Sequence, residues 1–289
     1  MNKSPFSGTI TALITPFLNG KVNYPMMEQL LKRQMDAGIR AVVVCGTTGE
    51  APTLSDEEKL EIIRRSKAYT GHSCAIIAGT GSNDTAHSAA LSAAAQRMGA
   101  DGVLVVTPYY NKATQSGLIA HFQTIADGIQ IPMILYNVPS RTGVDLPVSV
   151  CEVLCHHRNI IGIKEACTDL SKVTALRNAC GPDFSIWSGN DELTVPFLSM
   201  GANGVISVLS NVCPAETDVI VQAGLDGDFD TAAALQCQLQ PLIDLLFCEV
   251  NPIPVKAAMR CIGYDCGNCR LPLTRLLPEH QKKLEDYLR

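Results

Sequence analysis

The sequence predicts a (β/α)8 barrel followed by a short helical appendage. Three observations carry that expectation. Short apolar, β-branched runs alternate with helix-favouring segments eight times through the first three quarters of the chain. The runs are apolar throughout, the pattern of parallel strands covered on both faces. Their C-terminal ends collect Gly, Thr, Ser, Tyr, Asn, Arg and Lys, at the end of such a barrel that carries function. A doubly wound sheet is the alternative, but it usually has fewer such units before an irregular segment.

Taken in order, Thr9 to Ile14 is the first expected strand and Tyr24 to Ala37 a helix closed by Gly38, a good residue beyond a helix end. Arg40 to Cys45 is the second strand. Ser55 then caps a helix and Glu58 completes a capping box, with the helix running to about Tyr69 before Gly71. Cys74 to Ala78 precedes an alanine-rich helix from Asp84 to Met98, closed by Gly99. Gly102 to Val106 precedes a helix over Gly117 to Ala126. Met133 to Tyr136 precedes Pro147 to Cys155, with Pro147 tolerated in the first turn. Ile160 to Lys164 is the sixth strand, followed by a helix over Leu170 to Cys180. Phe184 to Ser188 precedes Glu192 to Met200, and Gly204 to Val208 precedes a helix near Ala215 to Ala223. Beyond Asp228 only helices are expected, at Asp228 to Phe247, Val255 to Ile262 and Pro278 to Leu288. The chain thus divides into a barrel over 1–225 and a helical domain over 226–289, with Gly224 to Gly227 as the soft boundary.

Composition bounds the function. Of 289 residues, 46% are hydrophobic and 18% charged, enough apolar material for a core and unlike a disordered chain. A net charge of -5 gives no electrostatic case for nucleic acid. No apolar run approaches the roughly 20 residues that span a bilayer, and Met1-Asn2-Lys3-Ser4-Pro5 lacks the apolar core of a signal peptide. The 12 cysteines are scattered, several in apolar runs, which suits reduced thiols in a cytoplasmic protein better than a disulfide framework. Cys261, Cys266 and Cys269 have the spacing of part of an iron–sulfur ligand set; incidental loop thiols are the other reading.

The strand ends offer a compact list of candidates. Lys164 ends the sixth strand. A buried lysine there becomes a nucleophile able to form a Schiff base with a carbonyl. The alternative is a lysine that snorkels to the rim or pairs with a carboxylate. Tyr136, one strand earlier, can relay protons to that amine or simply cap the core. Gly46-Thr47-Thr48-Gly49-Glu50 offers amides and hydroxyls suited to a carboxylate, or is a plain turn; it lacks the lysine of a triphosphate loop. Gly79-Thr80-Gly81 lacks the third glycine of a dinucleotide fingerprint. Arg141 either clamps a substrate carboxylate or forms a surface ion pair. Tyr109 and Tyr110 read as core aromatics or site phenols. The histidines have no metal-ligand spacing and read as surface or packing residues. As a set, these groups suit a metal-free reaction in which a 2-oxo acid becomes an imine, then an enamine that attacks an aldehyde.

Gly46-Thr47-Thr48-Gly49-Glu50, Thr107-Pro108-Tyr109-Tyr110, Tyr136-Asn137-Val138-Pro139-Ser140-Arg141-Thr142-Gly143, Gly162-Ile163-Lys164-Glu165 and Asn251-Pro252-Ile253-Pro254-Val255-Lys256 together resemble the 4-hydroxy-tetrahydrodipicolinate (dihydrodipicolinate) synthase family along nearly the whole chain. The resemblance implies condensation of pyruvate with L-aspartate 4-semialdehyde in diaminopimelate and lysine synthesis, by a cytoplasmic homotetramer with no separate cofactor. It implies Lys164 as the Schiff-base lysine and Tyr136 as its proton relay, linked through Thr47 to a Tyr110 from the neighbouring subunit. Thr47 and Thr48 would hold the pyruvate carboxylate, Arg141 the carboxylate of the aldehyde, and Gly189 and the Ile206 carbonyl would line the pocket. Members inhibited by lysine carry acidic and histidine side chains in a cleft at the dimer interface. Here Asn83 and Tyr109 match that cleft, but Lys59 stands where histidine is usual and His87 where glutamate is usual, which implies weak or absent inhibition. N-acetylneuraminate lyase and 2-keto-3-deoxy sugar acid aldolases share the lysine and tyrosine but usually not Thr47-Thr48 or the Ser140-Arg141-Thr142-Gly143 loop. A barrel that has lost its chemistry is the remaining alternative, and intact Lys164, Tyr136, Thr47 and Tyr110 argue against it.

Overall fold

The computed structural model describes residues 5–289, so the Met1 to Pro5 reading falls almost wholly outside it. The chain runs β1 (Gly8–Ala12), β2 (Phe17–Leu18), β3 (Lys21–Val22), α1 (Tyr24–Asp36), β4 (Ala41–Val44), α2 (Asp56–Thr70), β5 (Ala75–Gly79), α3 (Thr85–Arg97), β6 (Gly102–Val106), α4 (Gln115–Asp127), β7 (Met133–Asn137), α5 (Pro139–Thr142), α6 (Val148–Leu154) and β8 (Ile160–Glu165). It continues with α7 (Ser171–Cys180), β9 (Ser185–Ser188), α8 (Thr194–Ser199), β10 (Gly204–Ser207), α9 (Pro214–Leu225), α10 (Phe229–Leu246), α11 (Ile253–Cys261) and α12 (Pro278–Leu288).

β1 and β4 to β10 pair in parallel and close into a barrel in chain order, β1 meeting both β4 and β10. The expected fold class is the observed one, and a doubly wound sheet is excluded by closure. Two apolar layers hold it. Ile10, Val43, Ile77, Leu104, Ile134, Trp187 and Ile206 fill the inside of the barrel. Val42, Val44, Ile76, Val105, Leu135 and Ile163 pack outward with the helices. This is why the strand runs read as continuously apolar: both faces of every barrel strand are covered.

Local chemistry sets the element ends. Ser55 and Glu58 form the expected capping box of α2. α4 starts earlier than expected, because the Thr114 hydroxyl caps it by accepting the Gly117 amide at 3.2 Å. Pro147 caps α6 from outside rather than sitting in its first turn. The expected Glu192–Met200 helix divides into a 3-10 turn over Asp191–Leu193 and then α8, its first carboxylate held by the Val208 and Leu209 amides. The hairpin β2–β3 and the one-turn α5 were too short to register as periodic patterns in the sequence. Among the described residues, no helix is long and apolar enough to cross a membrane.

Candidate active site

Lys164 and Tyr136 stand opposite each other in the β7–β8 register, both on the inner face of the barrel. Their inward aim depends on an irregularity. Ile160 packs with the outer layer, so a strict period of two would send residue 164 outward as well. The register shifts between Met133 and Ile134, Ile161 turns against the inner cluster, and the alternation restarts with Ile163 outward and Lys164 inward. The Lys164 ammonium lies 4.7 Å from the centre of the Tyr136 ring. Lys164 is 5% exposed, which rules out a head snorkelling to the rim. It has no carboxylate within ion-pair distance among the described residues, which rules out the paired alternative.

The next residue goes the other way. Glu165, on the outer face, is fully buried and accepts from Asn137 Nδ2 at 2.8 and 3.0 Å and from the Cys167 amide at 2.8 Å. Lys172 on α7 approaches it to 3.2 Å and also bonds Asp145. Burial pushes the Glu165 carboxyl above its ordinary range, against the pull of Lys172 and Asn137. Asp191, buried after β9, behaves similarly. Burial raises it, while the Ser207 hydroxyl, the Leu209 and Val208 amides and the charge of Lys164 oppose the rise. Sequence reasoning assigned no role to Asn137, Asp145, Glu165, Lys172 or Asp191. For Asn137, Glu165 and Asp191 the available signal was an acid or amide at or just beyond a strand end; Asp145 and Lys172 carry no such signal.

The turn after β4 is built by the C-terminal helices. Thr48 is buried and its hydroxyl accepts from Asn251 Nδ2 at 3.0 Å. Glu50 adopts a left-handed conformation with φ of 57°. Its carboxylate meets Lys256 Nζ at 2.7 Å and the Arg270 amide at 2.8 Å. Thr15 donates to the Gly49 carbonyl at 2.7 Å. Thr47 remains half-buried and lines a cavity of about 590 Å³ at the barrel mouth. That cavity is shared by Tyr136 and Arg141, whose guanidinium also donates to the Asn251 carbonyl at 3.2 Å.

The same cavity is also lined by Lys59, Asn83, His87 and Tyr109. Asp56 joins two of them, 3.3 Å from Lys59 Nζ and 2.7 Å from His87 Nε2. Lys164 itself is not a lining residue, but its ammonium contacts the ring of Tyr136, which is one. Gly189 follows β9 where a Cβ would stand 2.6 Å from the Ala166 side chain, so only glycine lets the ends of β8 and β9 approach. Ile206 is fully buried in the inner layer. Gly79, discounted as part of a nucleotide loop, has a steric role: a Cβ there would meet the Cys45 carbonyl at 2.1 Å. Tyr109 and Tyr110 are not core aromatics. Tyr110 is 90% exposed, with φ of 71°, and does not reach the cavity of its own chain.

Of the histidines, His121 is buried on Thr85 at 2.8 Å, whereas His87 joins the cavity wall. The described residues contain no group of three or more His, Cys, Asp or Glu side chains set to hold a metal ion, so Cys261, Cys266 and Cys269 are not gathered as ligands. All twelve cysteines are free.

The chain that carries this arrangement, a buried unpaired amine beside a phenol with a hydroxyl turn and a guanidinium, is similar to known proteins along nearly its whole length. The sequence matches the Dihydrodipicolinate synthetase family over residues 5–289. A 4-hydroxy-tetrahydrodipicolinate synthase from Acetivibrio thermocellus is 44% identical over 99% of both chains. The crystal structure of dihydrodipicolinate synthase from Aquifex aeolicus superposes with a TM-score of 0.96 at 43% identity, covering 98% of this chain and 97% of that one. A dihydrodipicolinate synthase from Cyanidioschyzon merolae with lysine bound gives 0.95 at 40% identity, over 97% and 96% of the two chains. The chain belongs to the dihydrodipicolinate synthetase family.

Proposed function

We propose that the protein condenses pyruvate with L-aspartate 4-semialdehyde to 4-hydroxy-tetrahydrodipicolinate, a lyase-class reaction of diaminopimelate and lysine synthesis. The observation that carries this reading is the Lys164 amine: 5% exposed, without an ion pair, and against the Tyr136 ring, in a chain 44% identical to a named synthase. Pyruvate's carboxylate sits at Thr47 and Thr48. The Lys164 amine adds to the 2-oxo carbon, water leaves, and the protonated imine draws electrons from the methyl group. Loss of a methyl proton gives an enamine, whose carbon attacks the aldehyde carbon of the second substrate; the aldehyde oxygen takes up a proton. The amino group of that substrate then attacks the imine carbon and displaces Lys164, closing the ring. The sum is pyruvate plus aldehyde giving product plus one water. Tyr136 carries the protons to and from the imine. Arg141 receives the carboxylate of the aldehyde, and Gly189 and the Ile206 carbonyl bound the pocket.

Tyr110, exposed on its own chain, is read as completing the Tyr136–Thr47 relay of a second copy, within a dimer of dimers. We read 1–225, described from residue 5 onward, as the catalytic barrel unit and 226–289 as the helical domain. Twelve unpaired cysteines suit a reducing cytoplasm.

Incubation with pyruvate and borohydride, followed by mass analysis, tests the core of this reading. A reduced pyruvate adduct on Lys164 is expected, and its absence refutes the mechanism. Turnover with aspartate semialdehyde but not with sialic acid selects the substrate. Arg141→Ala should raise the KM for the aldehyde or lower its use at least tenfold while leaving the pyruvate adduct intact; equal damage to both refutes its role.

A further inference from the structure

We infer that Asn251, from the segment leading into α11, is a positioning residue that fixes the Thr48 hydroxyl as a donor to the substrate carboxylate and couples it to Arg141. The inference rests on the pyruvate and aldehyde assignments above and adds a residue to them.

Asn251 is 6% exposed and joins two groups that lie far apart in sequence. Its side-chain Nδ2 donates to Thr48 Oγ1 at 3.0 Å, and its backbone oxygen accepts from Arg141 Nη2 at 3.2 Å. A hydroxyl has one proton to donate and two lone pairs to accept with. With a lone pair engaged by Asn251, the buried Thr48 oxygen has no acceptor for its own proton among the described residues. That proton is directed to a third group, and a carboxylate, which only accepts, is the matching partner. The amide therefore sets the polarity of the turn. The Asn251 Oδ1 atom is buried and has no partner among the described residues. An asparagine kept only for structure would satisfy both ends of its amide; here the donor alone is used. Because the same residue holds Arg141, the anchor for the first carboxylate and the anchor for the second share one support.

The test compares Asn251→Asp, Asn251→Ala and Thr48→Val in the full-length protein. The readouts are half-saturation for pyruvate by borohydride trapping, kcat, KM for each substrate, and thermal unfolding. Asp has the shape of Asn but only accepts when ionised, so it would draw the Thr48 proton to itself and set a negative charge beside the turn. Asn251→Ala should raise the pyruvate half-saturation by about tenfold, the effect of one hydrogen bond. Asn251→Asp should raise it further, by on the order of 100-fold, with a smaller change in kcat. In a Thr48→Val background the Ala substitution should add less than about twofold, because the hydroxyl it orients is gone. A purely structural asparagine predicts the opposite order, with Asp milder than Ala, and that order overturns the inference. If Asn251→Ala does not fold, the comparison of Asn251→Asp with Thr48→Val decides: Asp no worse than Val overturns it. A wild-type protein that traps no pyruvate overturns the catalytic reading instead, and the two failures are thereby distinct.

Discussion

Lys256→Met should be the most informative single change outside the site. Lys256 and Glu50 are 2% and 1% exposed at the side chain, 2.7 Å apart. Lys256 also lies 4.3 Å from the centre of the Phe17 ring and donates to the Asn268 carbonyl at 3.3 Å. Methionine keeps the length and the apolar contact of the stem but leaves the Glu50 carboxylate buried with the Arg270 amide at 2.8 Å and the Cys269 thiol, and without the ammonium that faces it. Removing one member of a buried pair costs about 3–5 kcal/mol, because the remaining charge is uncompensated. Lys256→Met should therefore lower the unfolding free energy by about that amount in urea titrations near neutral pH. The double variant Glu50→Gln/Lys256→Met, which removes both charges, should lose only about 1–2 kcal/mol. The effect should also reach the site: Glu50 ends the turn that carries Thr47 and Thr48, so pyruvate half-saturation should rise in the single variant and partly return in the double. A single-variant loss below about 1 kcal/mol, the scale of a surface pair, refutes the argument. So does a double variant as damaged as the single.

Two other groups, His121 and the carboxylates of the cleft, give further outcomes. Burial holds the His121 imidazole down to about 4, below its ordinary 6.5. The unfolded chain therefore binds this proton more tightly, and stability falls as pH drops from about 6.5 toward 4. From this group alone about 2.5 kcal/mol should be lost between roughly pH 7 and pH 4.5, and His121→Leu should flatten that part of the profile by a similar amount; an unchanged slope in unfolding free energy refutes it. In the cleft, Asp56 already engages both Lys59 and His87, and Asp84 is used to cap α3 through the Ala86 and His87 amides. Among the described residues both carboxylates of the cleft already have partners, and Lys59 repels the ammonium of a free amino acid. Rates measured against added lysine should stay nearly flat, and strong inhibition at sub-millimolar lysine refutes this.

What the sequence made legible follows from which interactions are local. The barrel could be read because parallel strands buried on both faces are apolar at every position, and because Ser55, Glu58 and Gly38 mark helix ends within a few residues of themselves. The site residues could be listed because strand ends concentrate them, and the motifs narrowed the list through resemblance. Other features depend on pairings that only the closed barrel makes. Asn251 meets Thr48 across 203 positions, and Lys256 meets Glu50 across 206. Nothing in either segment alone names its partner. The hairpin β2–β3 is two residues a side, too short for any period. The exposure of Tyr110 was not legible either, since a Tyr-Tyr pair after a strand has the same composition in a core as on a surface.

The orientation of Lys164 shows the limit most sharply, because it depends on one residue of register. Ile160 and Ile161 are both apolar and β-branched, so the sequence does not say which of them faces inward. The irregularity opposite Met133 and Ile134 settles it, and two consequences follow together. Lys164 turns into the barrel against Tyr136. Glu165, the nearest acid in sequence, turns out toward Asn137 and Lys172. Had the alternation run without that shift, Glu165 would face the barrel interior and Lys164 would face the helices. The other buried acid near the amine, Asp191, accepts the Val208 and Leu209 amides at 2.9 and 3.0 Å. Glu165 thus has partners on both oxygens and Asp191 on Oδ2, while the buried Asp191 Oδ1 has none among the described residues. An amine that must lose its proton to attack a carbonyl is best kept from a direct carboxylate partner, since an ion pair favours the charged form. The bulge in β8 and the partners of these two acids achieve that separation. The proposed chemistry of Lys164 therefore depends as much on where Glu165 and Asp191 are held as on the lysine itself.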